Sequence, residues 1–170
     1  MVNFNTGLII LFLLFSIGTS IAQEDNCTCC TVHYTEFDFW VGEWDVYDVN
    51  GKKVGENSIV MLEDNCILNE HWRGTAGSTG RSYNYFNASD STWNQLWLDN
   101  NGGNLVLKGK AEPNKMILSS TLLKGKKIDW YYNRITWTNN DDGTVTQHWE
   151  ILDKNNKVLG TVFKGLYKRK

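Results

Sequence analysis

The chain is poor in proline, in histidine and in net charge, and each shortage excludes something. A single proline, Pro113, in 170 residues leaves the turns to Gly, Asn and Asp. A formal net charge of −2 provides no basic face for a nucleic-acid partner, so none is expected. The histidines His33, His71 and His148 are widely separated and form no metal triad. Neither a Gly-x-Ser-x-Gly elbow nor a phosphate-cradling glycine loop occurs, so the sequence implies no cofactor and no resident metal. After Trp44 no apolar period of 3.6 residues is sustained, which argues against a helical domain. The basic cluster Lys164, Lys168, Arg169 and Lys170 reads as a solvated terminus.

Long apolar runs are missing as well. The longest, GLIILFLLFSI over 7–17, falls short of the roughly 20 residues that span a bilayer and fits the core of a signal peptide. Ser20-Ile21-Ala22 offers small residues for cleavage after Ala22, although no Lys or Arg precedes the run; an uncleaved anchor is the alternative. Polar Glu24-Asp25-Asn26 ahead of Cys27 is not a lipobox. The expected organisation is a signal peptide over 1–22, a cysteine-containing segment over 23–36 and one domain over 37–170. The mature protein is then periplasmic or secreted, with no membrane span after cleavage.

Export changes the reading of Cys27, Cys29, Cys30 and Cys66, which would meet an oxidising compartment. The expected bridge joins Cys30, or its neighbour Cys29, to Cys66. Closing that loop of ~36 residues would stabilise the fold by roughly 3–4 kcal/mol. The rival is a thiolate metal site made by Cys27, Cys29, Cys30 and His33.

What the chain has in quantity is alternation. Ten segments alternate polar and apolar residues: 44–49, 53–62, 66–73, 79–86, 92–99, 104–109, 116–123, 127–138, 144–152 and 158–167. Gly/Asn/Asp turns separate them, Asn50-Gly51 being the strongest hairpin signal. Consecutive short strands with short connections predict an all-β fold, a single antiparallel up-and-down barrel of eight to ten strands, which closes to remove its edges. An open sandwich is the alternative. Residues 37–44 (FDFWVGEW) pack four aromatics into eight positions, and a helical turn over 35–41 would plug one end with Phe37 and Trp40 facing inward.

That stretch recurs in a larger ordered set: Gly55-Glu56-Asn57, residues 66–72 (CILNEHW), Ser82-Tyr83-Asn84-Tyr85, residues 93–99 (WNQLWLD) and Gln147-His148-Trp149-Glu150. Over nearly the whole mature chain it resembles an uncharacterised family of exported bacterial proteins with an FDFWxGxW signature and a lipocalin-like (calycin-like) barrel. The resemblance implies the fold. It carries no catalytic residues.

Chemistry has to be sought on the strands. Side chains two apart share a face, which groups Glu70 with Trp72; Trp93, Gln95, Trp97 and Asp99; and Gln147 with Trp149. Each indole buries ~150–250 Å², so these faces are expected to point into the barrel. A binding face is therefore predicted from Glu70, Trp72, Tyr83 (or Tyr85), Trp93, Gln95, Trp97, Gln147 and Trp149, for an unknown amphipathic or sugar-like small molecule. Buried polar groups need partners; in a closed structural core Glu70 would pair with Arg81 or Arg134. An isomerase- or hydrolase-like enzyme would need an acid and a base, for which Glu70 and Asp99 are candidates. His71 and His148 fall one position off these faces and point outward. A third reading is an interaction protein that exposes Trp130 or Tyr131.

Overall fold

The computed structural model describes Met1, residues 27–126 and residues 128–170. The anticipated signal peptide and its cleavage site lie outside the described residues. One antiparallel sheet follows a short 3-10 turn at Asp38–Trp40. Its strands are β1 (Gly42–Tyr47), β2 (Lys53–Leu62), β3 (Ile67–Gly74), β4 (Thr79–Asn87), β5 (Thr92–Asp99), β6 (Asn104–Glu112), β7 (Lys115–Ser119), β8 (Leu123–Lys124), β9 (Trp130–Asn139), β10 (Val145–Asp153) and β11 (Val158–Arg169). Each strand pairs with its sequence neighbour, except that β7 and β8 both lie along β9, and β11 pairs back with β1 from Trp44↔Arg169 to Tyr47↔Leu166. The sheet is a closed up-and-down barrel.

β7 and β8 are one strand interrupted. The segment expected to run unbroken over 116–123 stops at Ser119, and the pairing with β9 resumes at Leu123↔Tyr131. Ser120 is the reason. Its Oγ accepts the Asn133 N–H at 2.9 Å, taking a donor that a ladder carbonyl would otherwise take, and then donates to the Thr121 carbonyl. The β6–β7 ladder therefore ends at Lys108↔Ser119, while Asn104 to Leu107 remain paired with β5. The wall is unlaced beside one barrel end.

The other end is plugged. Phe37 and Trp40 are fully buried and stack at 5.0 Å, with Trp137 edge-on to Phe37 at 5.2 Å. Trp44 Nε1 donates to the Trp40 carbonyl at 2.9 Å and ties the plug to β1. Gly42, at φ +143°, adopts a conformation that other residues rarely take. A side chain there would also meet the Arg169 guanidinium, which donates to the Val41 carbonyl at 3.1 Å and lies 4.4 Å from the Trp44 ring centre. The Gly-x-Trp spacing thus makes a seat for the arginine of the closing strand. The basic residues Lys164, Lys168, Arg169 and Lys170 are all exposed, as expected of a solvated terminus, yet β11 runs to Arg169, and Lys170 Nζ reaches Glu56 at 2.6 Å.

Two disulfides form at the segment before the plug: Cys29–Cys66 ties it to the residue ahead of β3, and Cys27–Cys30 closes a short loop within it. Cys29, not Cys30, takes Cys66. A turn closed by the Cys30 N–H on the Cys27 carbonyl at 3.2 Å sets Cys27 and Cys30 side by side, while the Cys29 side chain is buried against the barrel. With every cysteine oxidised, the alternative metal site has no thiolate left to offer.

Candidate ligand cavity

The inner faces of the strands change character along the barrel axis. Near the plug they are aromatic and aliphatic: Trp93, Trp137, Met116 and Leu118 are all buried. Midway they become polar. Beyond that, toward the turns at 75–78, 100–103 and 154–157, they enclose a cavity of about 340 Å³ lined by Trp72, Trp97, Trp149, Phe163, Leu105 and Ile135 above Glu70, Gln95, Gln147 and Tyr167.

The polar layer is a continuous hydrogen-bonded floor. Glu70 is 5% exposed and sits on β3 between Ile59 of β2 and Ser82 of β4. Its Oε1 accepts from Asn57 Nδ2 at 2.8 Å and its Oε2 from Ser82 Oγ at 2.6 Å. Asn84 Nδ2 donates onward to Ser82 Oγ at 2.9 Å, and Gln95 Nε2 to Asn84 Oδ1 at 2.8 Å. On the other side the Tyr167 hydroxyl donates to Gln147 Oε1 and lies 3.4 Å from Asn57 Nδ2. Burial dominates the electrostatics: desolvation pushes the Glu70 carboxyl up to about 7, against the two bonds from Ser82 and Asn57 that favour its charged form. Burial, and then the nearby Glu70 charge, raise the Tyr167 phenol well above its usual range. Asn57 Oδ1 is buried with no partner among the described residues.

Bare backbone holds the indoles above this floor. Gly55 and Gly80 face inward, and a Cβ on either would collide with the ring of Trp72 or Trp97 respectively. Trp149 Nε1 donates to the buried Asn133 Oδ1 at 2.8 Å, and Trp72 meets Phe163 edge-on at 6.3 Å.

Of the residues anticipated for a binding face, Glu70, Trp72, Gln95, Trp97, Gln147 and Trp149 line the cavity together. Tyr83 and Trp93 do not. Tyr83 is 44% exposed, as is Tyr85, because Ser82 and Asn84 occupy the inner face of β4. Trp93 faces inward but at the plugged end, where it meets Phe37 edge-on at 5.7 Å and its Nε1 donates to Glu36 Oε2 at 3.0 Å. Asp99 is no partner for Glu70: its Oδ1 accepts the N–H groups of Asn101 and Gly103, both at 2.8 Å, and shapes the β5–β6 turn. Nor does an arginine reach Glu70. Arg81 bonds Asn69 Oδ1 at 3.3 Å, and Arg134 pairs with Glu150 at 2.9 Å on the outer face. His71, between Arg73 and Arg81, and His148, against Thr161, lie on that outer face too. Trp130 is 42% exposed with Lys124 Nζ 5.8 Å from its ring centre.

The residues missed were Asn57, Ser82, Asn84, Phe163 and Tyr167. Alternation placed the last two legibly, since Phe163, Gly165 and Tyr167 share a face of β11. The short polar residues carried no such signal, because nothing in their type separates an inner from an outer position. No protein-family model matches this chain, and no curated protein matches it in sequence.

Proposed function

We propose that the protein is an exported carrier barrel, of the lipocalin-like family that its FDFWVGEW stretch resembles, which binds one small amphipathic molecule. The observation that carries this reading is the cavity of about 340 Å³, with indoles at its open end and a hydrogen-bonded floor beneath. That volume lies at the small end of the range for ligand sites, and apolar walls with a few convergent polar groups are their usual lining. A structural barrel with a closed core would have no such space. Catalysis by proton transfer is the weaker reading, because among the described residues lining the cavity Glu70 has no second group that titrates near neutral pH. Asp99 is engaged in a turn, and Tyr167 is held protonated. The two disulfides suit an oxidising compartment outside the cytosol.

Intrinsic tryptophan emission tests the proposal, since three indoles line the site. Titration with the neutral dye Nile red, and then with lipids, hemes and oligosaccharides, should quench or shift that emission saturably at one molecule per chain. Unchanged emission across the panel would remove the binding function.

A further inference from the structure

The cavity wall carries charge of one sign only. Among the described residues lining it, Glu70 is the one carboxyl group, and no Lys, Arg or His is present. The nearby cations Arg81 and Arg134 are engaged on the outer face. Glu70 itself is held by two neutral donors, Asn57 and Ser82, one to each oxygen. A carboxylate has about four acceptor positions, so lone pairs remain for a third partner. Gln95 adds an acceptor: its Nε2 is engaged by Asn84 Oδ1, which leaves Oε1 as the free end of the amide.

We propose that the cavity selects an organic cation, an ammonium group on an apolar and preferably aromatic body, with the ammonium against Glu70 and the body between Trp72, Trp97 and Trp149. This rests on the binding function proposed above and names its ligand class. An anionic ligand would bury a second negative charge beside Glu70 without a counter-ion, which is costly in a low-dielectric site. A neutral ligand gains the indole contact and at most an uncharged hydrogen bond to the floor. A cation gains that contact, the attraction of the ring faces and an ion pair that supplies the missing positive charge.

The arrangement gives the binding a pH signature. The groups facing Glu70 from the surrounding strands are Asn57 on β2, Ser82 on β4, Gln95 on β5, Gln147 on β10 and Tyr167 on β11. Of these only Tyr167 titrates, and its phenol stays protonated across neutral pH. With the Glu70 carboxyl near 7, its ionised fraction drops about tenfold between pH 8 and pH 6. An alkylammonium keeps its charge over that range.

Four probes of similar shape decide: 2-phenylethylamine, benzyltrimethylammonium, neutral 2-phenylethanol and 3-phenylpropanoate, each titrated by tryptophan emission and by displacement of Nile red. At pH 8 both cations should bind at least tenfold more tightly than the alcohol, and the carboxylate more weakly than the alcohol. Cation affinity should fall about tenfold by pH 6 while that of the alcohol stays level. Glu70→Gln should bring the cations down to the alcohol; if that variant does not fold, the ranking of the four probes on the wild-type protein decides. An alcohol or carboxylate that matches the cations at pH 8 would overturn cation selection while Nile red binding still upheld a carrier. Failure of Nile red and of all four probes would overturn both.

Discussion

Ser82 Oγ donates to Glu70 Oε2 at 2.6 Å from the position directly opposite it on the neighbouring strand. With Asn57 on the far side, the buried carboxyl is flanked by neutral donors on both neighbouring strands, and among the described residues no guanidinium or ammonium compensates its charge. Two hydrogen bonds soften the desolvation and do not cancel it.

The consequence for stability has a definite sign. The Glu70 carboxyl stands at about 7 in the folded protein against an ordinary 4.5, so between those values the folded state holds a proton that the unfolded state has lost. Glu70 therefore stabilises fully below pH 4.5, and its contribution is lost as pH rises through 7. That shift corresponds to about 3 kcal/mol. Chemical denaturation of wild-type protein and Glu70→Gln from pH 4 to pH 8 should show the variant gaining on the wild type by an amount of that order. A constant difference would mean that Glu70 is not desolvated.

Gly80→Ala should close the cavity without unfolding the barrel. Its Cβ would meet the Trp97 ring and, at 2.9 Å, the Leu98 carbonyl oxygen, so the indole must swing off its glycine seat into the cavity. Crowding of this kind costs about 1–3 kcal/mol. Nile red affinity should drop at least tenfold while the far-ultraviolet circular dichroism of the sheet persists. Unaltered affinity would place the ligand away from Trp97.

The barrel was legible in the sequence because its period of two runs through almost every strand, and short Gly/Asn/Asp turns forced neighbours to pair. The interruption after Ser119 was not legible, since it depends on which group bonds the Asn133 N–H, and that is settled only when Ser120 lies opposite it. The indoles of the site were readable from their size, which obliges them to be buried. Tyr83 and Tyr85 were expected inside as polar contacts for the ligand, yet a tyrosine can rest half-exposed on an outer face. Depth along the axis was the larger gap. Trp93 and Trp97 share a face of β5, but only the three-dimensional position of the plug shows that one belongs to the core and the other to the cavity.

The two disulfides should differ in what they contribute. Cys29–Cys66 closes a separation of 37 residues, and the double replacement Cys29→Ser/Cys66→Ser should lower stability by about 4 kcal/mol in the chain-entropy model. Cys27–Cys30 closes a separation of 3, for which the same model gives about 2 kcal/mol or less. Urea unfolding of the two double variants checks the ranking. Equal losses would show that the short bridge also holds the plug segment in place.

Trp93→Ala and Trp97→Ala separate the two halves of the barrel interior. Trp93 is 1% exposed and contacts Phe37 and Phe86, so its removal leaves a void in the plug and takes away the donor to Glu36 Oε2; a loss of about 3–5 kcal/mol is expected. Trp97 lines an existing cavity, and its loss enlarges space that is already there, costing about 1–2 kcal/mol. Binding should reverse the order. Nile red affinity measured below the unfolding transition should hold in Trp93→Ala and collapse in Trp97→Ala. If Trp93→Ala abolished binding at a temperature where the variant is folded, the site would extend to the plug, and the hydrogen-bonded layer from Gln95 through Glu70 to Gln147 would be a passage rather than a floor.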